Sequence, residues 1–229
     1  MKIHAVSPIA VRPKNAVILL ILFLLLVSGC SNHPCGKPFP EGGPQRIPGR
    51  VQCEFYDLGG EGIAYHDTDA VNNGSGKLNP ADGSYLHEFR MREGVDISYT
   101  KSNGVDDNGY NFVKPELGSL YVGWTEPGEW FNCTVDVQHG GRYKIGLMVT
   151  SNRGGKISLS VNGRDVTGPF QILSTFVAAD TVAWRQWHHW NYQDSLAEIT
   201  LQKGIQVLTL HTIAEGNMNY DYMDFTFVR

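Results

Sequence analysis

Paired carboxylates, adjacent histidines and clustered oxygen donors are the side chains of this sequence that could do chemistry. Glu126 and Glu129 could be an acid/base pair, since glycosidic-bond hydrolysis needs two carboxylates roughly 5 to 9.5 Å apart. His188 and His189 are zinc ligands by type, but adjacent strand residues point to opposite faces, so one ion cannot readily take both. One packed ring and one exposed ring is the expectation. Asp67, Asp69 and Asn73 bring oxygen donors into one loop, yet their spacing is not that of a helix–loop–helix calcium site, and Leu78 stands where the closing glutamate belongs. They read as loop-shaping residues that bond their own backbone. Gln52 and Glu54 alternate with Val51, Cys53 and Phe55, so on a strand both oxygen-bearing side chains share one face and could share a cation.

The elements that would position these groups are strands. Phe131, Cys133, Val135 and Val137 alternate with polar residues, as do Tyr143, Ile145, Leu147 and Val149. Ile157, Leu159 and Val161 continue the pattern up to Asn162-Gly163, a dipeptide suited to the positive φ angles of a tight hairpin turn. Further strands fit 120–124, 196–201, 205–213 and 220–228, and no helix-length apolar stripe follows Arg50. With 26 glycines as punctuation, the pattern predicts an all-β chain, an antiparallel β-sandwich of jelly-roll type. Loops at 59–92 and 163–183 are long for a compact domain, and long loops are commonly functional. A hydrophobic fraction of 41% supports a core, and a net charge of -4 without a basic run excludes nucleic acid as a partner.

The N-terminus reads as an address. Arg12 and Lys14 precede an apolar run over 16–27, too short for the ~20 residues that span a bilayer but suited to a signal peptide. Val27-Ser28-Gly29-Cys30 resembles a bacterial lipobox, which implies removal of residues 1–29 and acylation of Cys30. A lipid anchor in the bacterial cell envelope follows, by burial of acyl methylenes. Pro34, Pro38, Pro40 and Pro44 make 30–46 a Pro/Gly-rich tether, and the folded module is expected over 47–229. Of the four cysteines, Cys35 falls in the tether, while Cys53 and Cys133 point inward by alternation, either free or paired with each other. The sequons at Asn73 and Asn132 carry no weight in a bacterial lipoprotein.

Several segments, in order, resemble carbohydrate-binding module family 6. They are Ile47-Pro48-Gly49-Arg50-Val51-Gln52-Cys53-Glu54-Phe55-Tyr56-Asp57 with Gly59 to Ala70, Val122-Gly123-Trp124-Thr125-Glu126-Pro127-Gly128-Glu129-Trp130, Asp165 to Pro169, Trp184-Arg185-Gln186-Trp187 and Asn219-Tyr220-Asp221-Tyr222. Departures occur at Cys53, at Cys133 and in an extended region around Lys77 to Arg90. The resemblance implies a jelly roll, a structural calcium and a sugar site at the loop end of the sandwich.

A pyranose has a face of C–H groups and a rim of hydroxyls, so its site needs flat aromatic rings and fork-shaped polar groups. The resemblance puts Trp124 and Trp184 as the rings that sandwich the sugar, Asn219 as an amide that donates and accepts, and His66 as a further polar contact. Trp130 and Trp187 are left as core residues. For calcium it adds Asp221 to Gln52 and Glu54, an oxygen set of the kind this ion takes. The expected protein is a non-catalytic, monomeric lipoprotein that captures polysaccharide or oligosaccharide for separate enzymes. A small glycan-active hydrolase and an adhesion or structural domain with a vestigial cleft remain as alternatives, and the sugar is open among agarose, xylan and β-glucans.

Overall fold

The computed structural model describes residues 36–40 and 43–228. The signal segment 1–29, the lipidation candidate Cys30 and the tether cysteine Cys35 lie outside the described residues. Among those residues no helix is long and apolar enough to cross a membrane.

The strands are β1 (Gln45–Ile47), β2 (Gly49–Gln52), β3 (Tyr65–His66), β4 (Ile97–Tyr99), β5 (Leu120–Val122), β6 (Trp130–Val137), β7 (Gly141–Ser151), β8 (Gly155–Val161), β9 (Arg164–Asp165), β10 (Phe170–Ile172), β11 (Asn191–Leu201), β12 (Gly204–Ala214) and β13 (Met218–Val228); one short helix, α1 (Tyr85–Glu88), joins them. They form two sheets. One runs β1-β6-β12-β8-β10, with β3 on β6 and β9 on β8; the other runs β11-β7-β13-β5-β4, with β2 on β13. Pairing is antiparallel except between β1 and β6. This is the expected sandwich, built by the alternation read in the sequence: Phe131, Cys133, Val135 and Val137 of β6 and Tyr143, Ile145, Leu147 and Val149 of β7 lie in one buried core between the sheets. Asn162 and Gly163 take φ of 50° and 77°, the two left-handed positions of a hairpin turn that matches strand twist, and connect β8 to β9.

A second, smaller core forms on the outer side of the second sheet, where Tyr121, Met148, Trp190 and Tyr222 pack together. The segments 101–119 and 173–190 pack beside it and bond to each other: Asn108 Nδ2 donates to the His188 carbonyl at 2.9 Å, and the Trp190 amide to Asn111 Oδ1 at 2.8 Å.

Two expectations need correction. The tether does not extend to residue 46, because Lys37 pairs with Leu58, Phe39 stacks on Phe55 with centroids 5.1 Å apart, and β1 lies in a sheet. Apolar Phe39 has a core to join, and its burial outweighs the proline-rich composition around it. The strand expected to carry both Gln52 and Glu54, β2, also ends at Gln52, and Cys53–Phe55 wind into a single 3₁₀ turn, with Cys53 and Glu54 both buried. Alternation therefore does not separate Cys53 from Glu54. Cys53 and Cys133 are buried free thiols.

The 59–92 loop, which holds the extended region around Lys77 to Arg90, is pinned at Asn72 and at Arg90. Asn72 Oδ1 accepts from the amides of Gly74, Ser75 and Ile97, while its Nδ2 donates to the Val95 carbonyl at 2.8 Å. Arg90 pairs with Glu93 at 2.8 Å, donates to the carbonyls of Tyr56 and Asp57, and lies over the Tyr56 ring. The segment is thereby fixed as a wall.

Candidate functional site: an aromatic cleft and a buried oxygen cluster

Trp124, Trp184 and Asn219 line one cleft of about 440 Å³, together with Leu78, Tyr121, Trp187, His188 and Asn217. Four separate stretches of chain build it. β5 and the loop that follows it give Tyr121 and Trp124, the 3₁₀ turn Ala183–Trp187 gives Trp184 and Trp187, β13 gives Asn219, and the extended region gives Leu78. Trp184 is 54% exposed, a state that wastes a large apolar ring unless something covers it.

Trp124 is held by backbone geometry. Its φ is 49°, in the left-handed region that costs a non-glycine residue of order 1–3 kcal/mol. Two contacts support that conformation. Asn219 Oδ1 accepts from the Trp124 amide at 3.3 Å, and the ring lies so close to Gly74 that a Cβ there would stand 3.3 Å from it. Asn219 Nδ2 donates to the Trp187 carbonyl at 2.9 Å, so one buried amide ties both cleft walls together.

The opposite wall is set by two carboxylates. Asp180 accepts two bonds from Arg185, at 2.6 and 2.8 Å, one from His189 Nε2 at 2.8 Å and one from the Val182 amide at 3.0 Å. These donors, Arg185 first, hold its carboxyl well below the usual carboxylate range. Buried Asp106 accepts from Trp190 Nε1 at 2.7 Å, the Lys101 amide at 2.7 Å and His188 Nδ1 at 2.8 Å. His189 is fully buried as the packed ring of the pair; His188 faces the cleft instead of open solvent.

The structure does not bring His66 into this cleft. It sits on β3, paired with Trp130 of β6 in the sheet that does not carry β5 and β13, 2.5 Å from Glu61 Oε1, and lines a separate small pocket. Trp130 is only half-buried, and Trp187 belongs to the cleft; the fully buried tryptophan is Trp190. Five tryptophans carry the same intrinsic drive to bury, and the path of the loops decides which one does. Glu129 spends both oxygens on structure: Oε1 takes the amide and hydroxyl of Thr68 at 3.1 and 2.6 Å, and Oε2 the Glu126 amide at 2.7 Å. Glu126 accepts from Asn217 Nδ2 at 3.3 Å. Of the loop-shaping trio, Asp67 accepts from the Asp69 amide at 2.8 Å and Asn73 Nδ2 donates to Asp69 at 3.0 Å.

Gln52 and Asp221 line a second cavity of about 310 Å³, with Arg50 and Glu116 nearby. Two buried oxygens there and beside it, Gln52 Oε1 and Glu54 Oε2, have no hydrogen-bond partner. Unpaired buried oxygens are costly, and two carboxylates brought together out of water more so. Burial, with a push from Asp221, raises Glu54 well above the ordinary glutamate value, and burial drives Asp221 up to about 7 despite Arg50. Two carboxylates and an amide oxygen are hard donors suited to a calcium ion. Among the described residues no group of three or more His, Cys, Asp or Glu is placed to hold a metal.

Residues 96–229 match the family model described as carbohydrate binding module (family 6). Among solved structures, the chain is similar to the module CsCBM6-3 from Clostridium stercorarium in complex with cellobiose, at 13% identity and a TM-score of 0.50, over 82% of this chain and 99% of that one. A β-1,3-glucan binding module from Bacillus halodurans matches at 16% identity and a TM-score of 0.48, over 80% and 99%. A glycoside hydrolase family 43 arabinoxylan arabinofuranohydrolase from Bacillus subtilis matches at 16% identity and 0.48, over 81% of this chain and 28% of the enzyme. No curated protein matches the sequence.

Proposed function

Because this chain belongs to carbohydrate-binding module family 6, we propose that its aromatic cleft is where it holds a glycan, without cleaving it, and that Trp124 and Trp184 stack on one sugar unit while the Asn219 amide meets its rim. The observation that carries this reading is an exposed Trp184 ring and a backbone-strained Trp124 lining one cleft, their chain segments tied together by the single Asn219 amide. Apolar rings stack on the C–H face, and amide groups satisfy hydroxyls that would otherwise be desolvated without partners. Few such contacts set against the ordering of a flexible chain give an affinity on the order of micromolar to millimolar. Titration of an agaro-, xylo-, cello- and laminari-oligosaccharide panel by calorimetry is the direct test. At least one should bind in that range and be recovered uncut; release of shorter products would favour the hydrolase alternative, and no binding at all the adhesion alternative. The bonding of both Glu126 and Glu129 within the protein supports the non-catalytic reading, since an acid/base pair must reach substrate.

Calcium, in this proposal, is held by Gln52, Glu54 and Asp221, where it supplies charge to oxygens that lack partners and so stabilises the junction of β2 and β13. A ligand that binds only the folded state at ~100 times its Kd adds about 2.7 kcal/mol, or roughly 5–10 °C in a domain of this size. Removing calcium with excess chelator should lower the melting temperature by about that amount and leave the fold intact; identical melting with chelator and with calcium would remove the site. His66 is proposed only as an outlying polar contact for a longer chain, since it is exposed and outside the cleft. Acylation at Cys30 would make the module a monomeric, envelope-anchored collector of polysaccharide for separate enzymes. Cys30→Ser should then shift the protein from the membrane to the soluble fraction, and unchanged fractionation would exclude the anchor.

A further inference from the structure

The cleft contains an imidazole that stacking and amide recognition leave unused. His188 lines it 5.7 Å from the Trp184 ring, at an interplanar angle of 78°. Behind it stands Asp106, whose side chain is fully buried and whose Oδ1 lies 2.8 Å from His188 Nδ1. A carboxylate oxygen accepts, so the Asp106 contact places a hydrogen on Nδ1, and the neutral form of the ring with that tautomer presents a lone pair at Nε2. Asp106 cannot swing away, because it also takes Trp190 Nε1 and the Lys101 amide. Nε2 makes no hydrogen bond to any described residue. The imidazole is thus fixed in tautomer and direction, with its remaining nitrogen available at the wall that carries the exposed ring.

We infer that His188 is a specificity-determining sugar ligand, whose Nε2 accepts a hydrogen bond from a free hydroxyl on the rim of the unit stacked against Trp184, with Asp106 as its positioning residue. This rests on the sugar-binding reading of the cleft and adds a selection rule to it. A lone pair on nitrogen can pair with a hydroxyl but not with an ether oxygen. The cleft should therefore reject a sugar whose hydroxyl at that position is methylated or missing, because the analogue leaves a desolvated acceptor unpaired.

The test pairs protein and ligand variants. For the best-binding oligosaccharide of the panel above, single-position deoxy and O-methyl derivatives are titrated against wild type, His188→Phe and His188→Gln, with melting curves for each protein. His188→Phe keeps a ring beside Trp184 but has no acceptor, whereas His188→Gln keeps a polar tip and covers the case in which the phenylalanine variant fails to fold. The expected result is at least a tenfold loss for wild type at one hydroxyl, a similar loss of parent-sugar binding in His188→Phe, and no further penalty from removing that same hydroxyl in the variant. Partial recovery is expected in His188→Gln. Parent binding within twofold of wild type in the folded variants would overturn the inference, as would deoxy penalties that persist in them, which would mean His188 only props Trp184. Failure of wild type to bind any member of the panel would instead overturn the cleft reading and this inference together.

Discussion

Trp184→Ala is expected to melt within a few degrees of wild type while glycan affinity falls at least roughly thirtyfold, the ~2 kcal/mol that marks a dominant contact. The ring is 54% exposed, so truncation removes little that folding depends on. Its 3₁₀ turn stays in place, because the Asp180–Arg185 ion pair holds the segment independently of the indole. Trp124→Ala should lose binding as well, with a larger stability loss, since its ring also packs against Gly74. Tryptophan fluorescence titrations beside melting curves give both readings, and a Trp184→Ala protein that binds glycan normally would move the sugar site elsewhere on the module.

Trp190→Ala should be the most damaging tryptophan substitution. The side chain is 0% exposed, meets Tyr121 edge-on with centroids 5.2 Å apart, and gives its Nε1 hydrogen to Asp106. A buried tryptophan cut to alanine costs ~3–5 kcal/mol, and a carboxylate left short of a donor adds ~1–3 kcal/mol. The sum is a large share of the stability of any domain, so the variant should melt about 10–20 °C lower or fail to accumulate. Trp130→Ala, at a half-buried site, should be milder. If Trp130→Ala unfolds the protein and Trp190→Ala does not, the second core on the outer sheet face is misdrawn.

The sandwich itself was legible because its strands obey period two on long runs: β6 and β7 bury every second residue toward the other sheet, and Asn162-Gly163 announces its turn. The convergence of Trp124, Trp184 and Asn219 was legible only through the family resemblance, since residues separated by up to 95 positions leave no local mark of a shared cleft. What alternation could not reach is the covering of the outer face. Trp190 is buried because the 101–119 and 173–190 segments fold beside that sheet, and the holder of that arrangement is Asp106, an aspartate within an Asp-Asp-Asn-Gly run that looks like a solvated turn. The same arrangement turns His188 into the cleft, whereas strand logic alone left one histidine in solvent. The 3₁₀ turn at Cys53–Phe55 was hidden for a related reason: three residues leaving a strand carry no periodicity.

The position of β13 couples folding to function through time. It is the last strand, yet it lies inside its sheet, bonded to β7, β5 and β2, and it carries both Asn219 and Asp221. A chain emerging from a ribosome without these eleven residues has two separated half-sheets, no amide across the cleft and an incomplete oxygen cluster. Long-range pairings of this kind close late, because loop entropy must be overcome before they form. Neither the cleft nor the oxygen cluster is therefore complete on a nascent chain until its synthesis has passed β13.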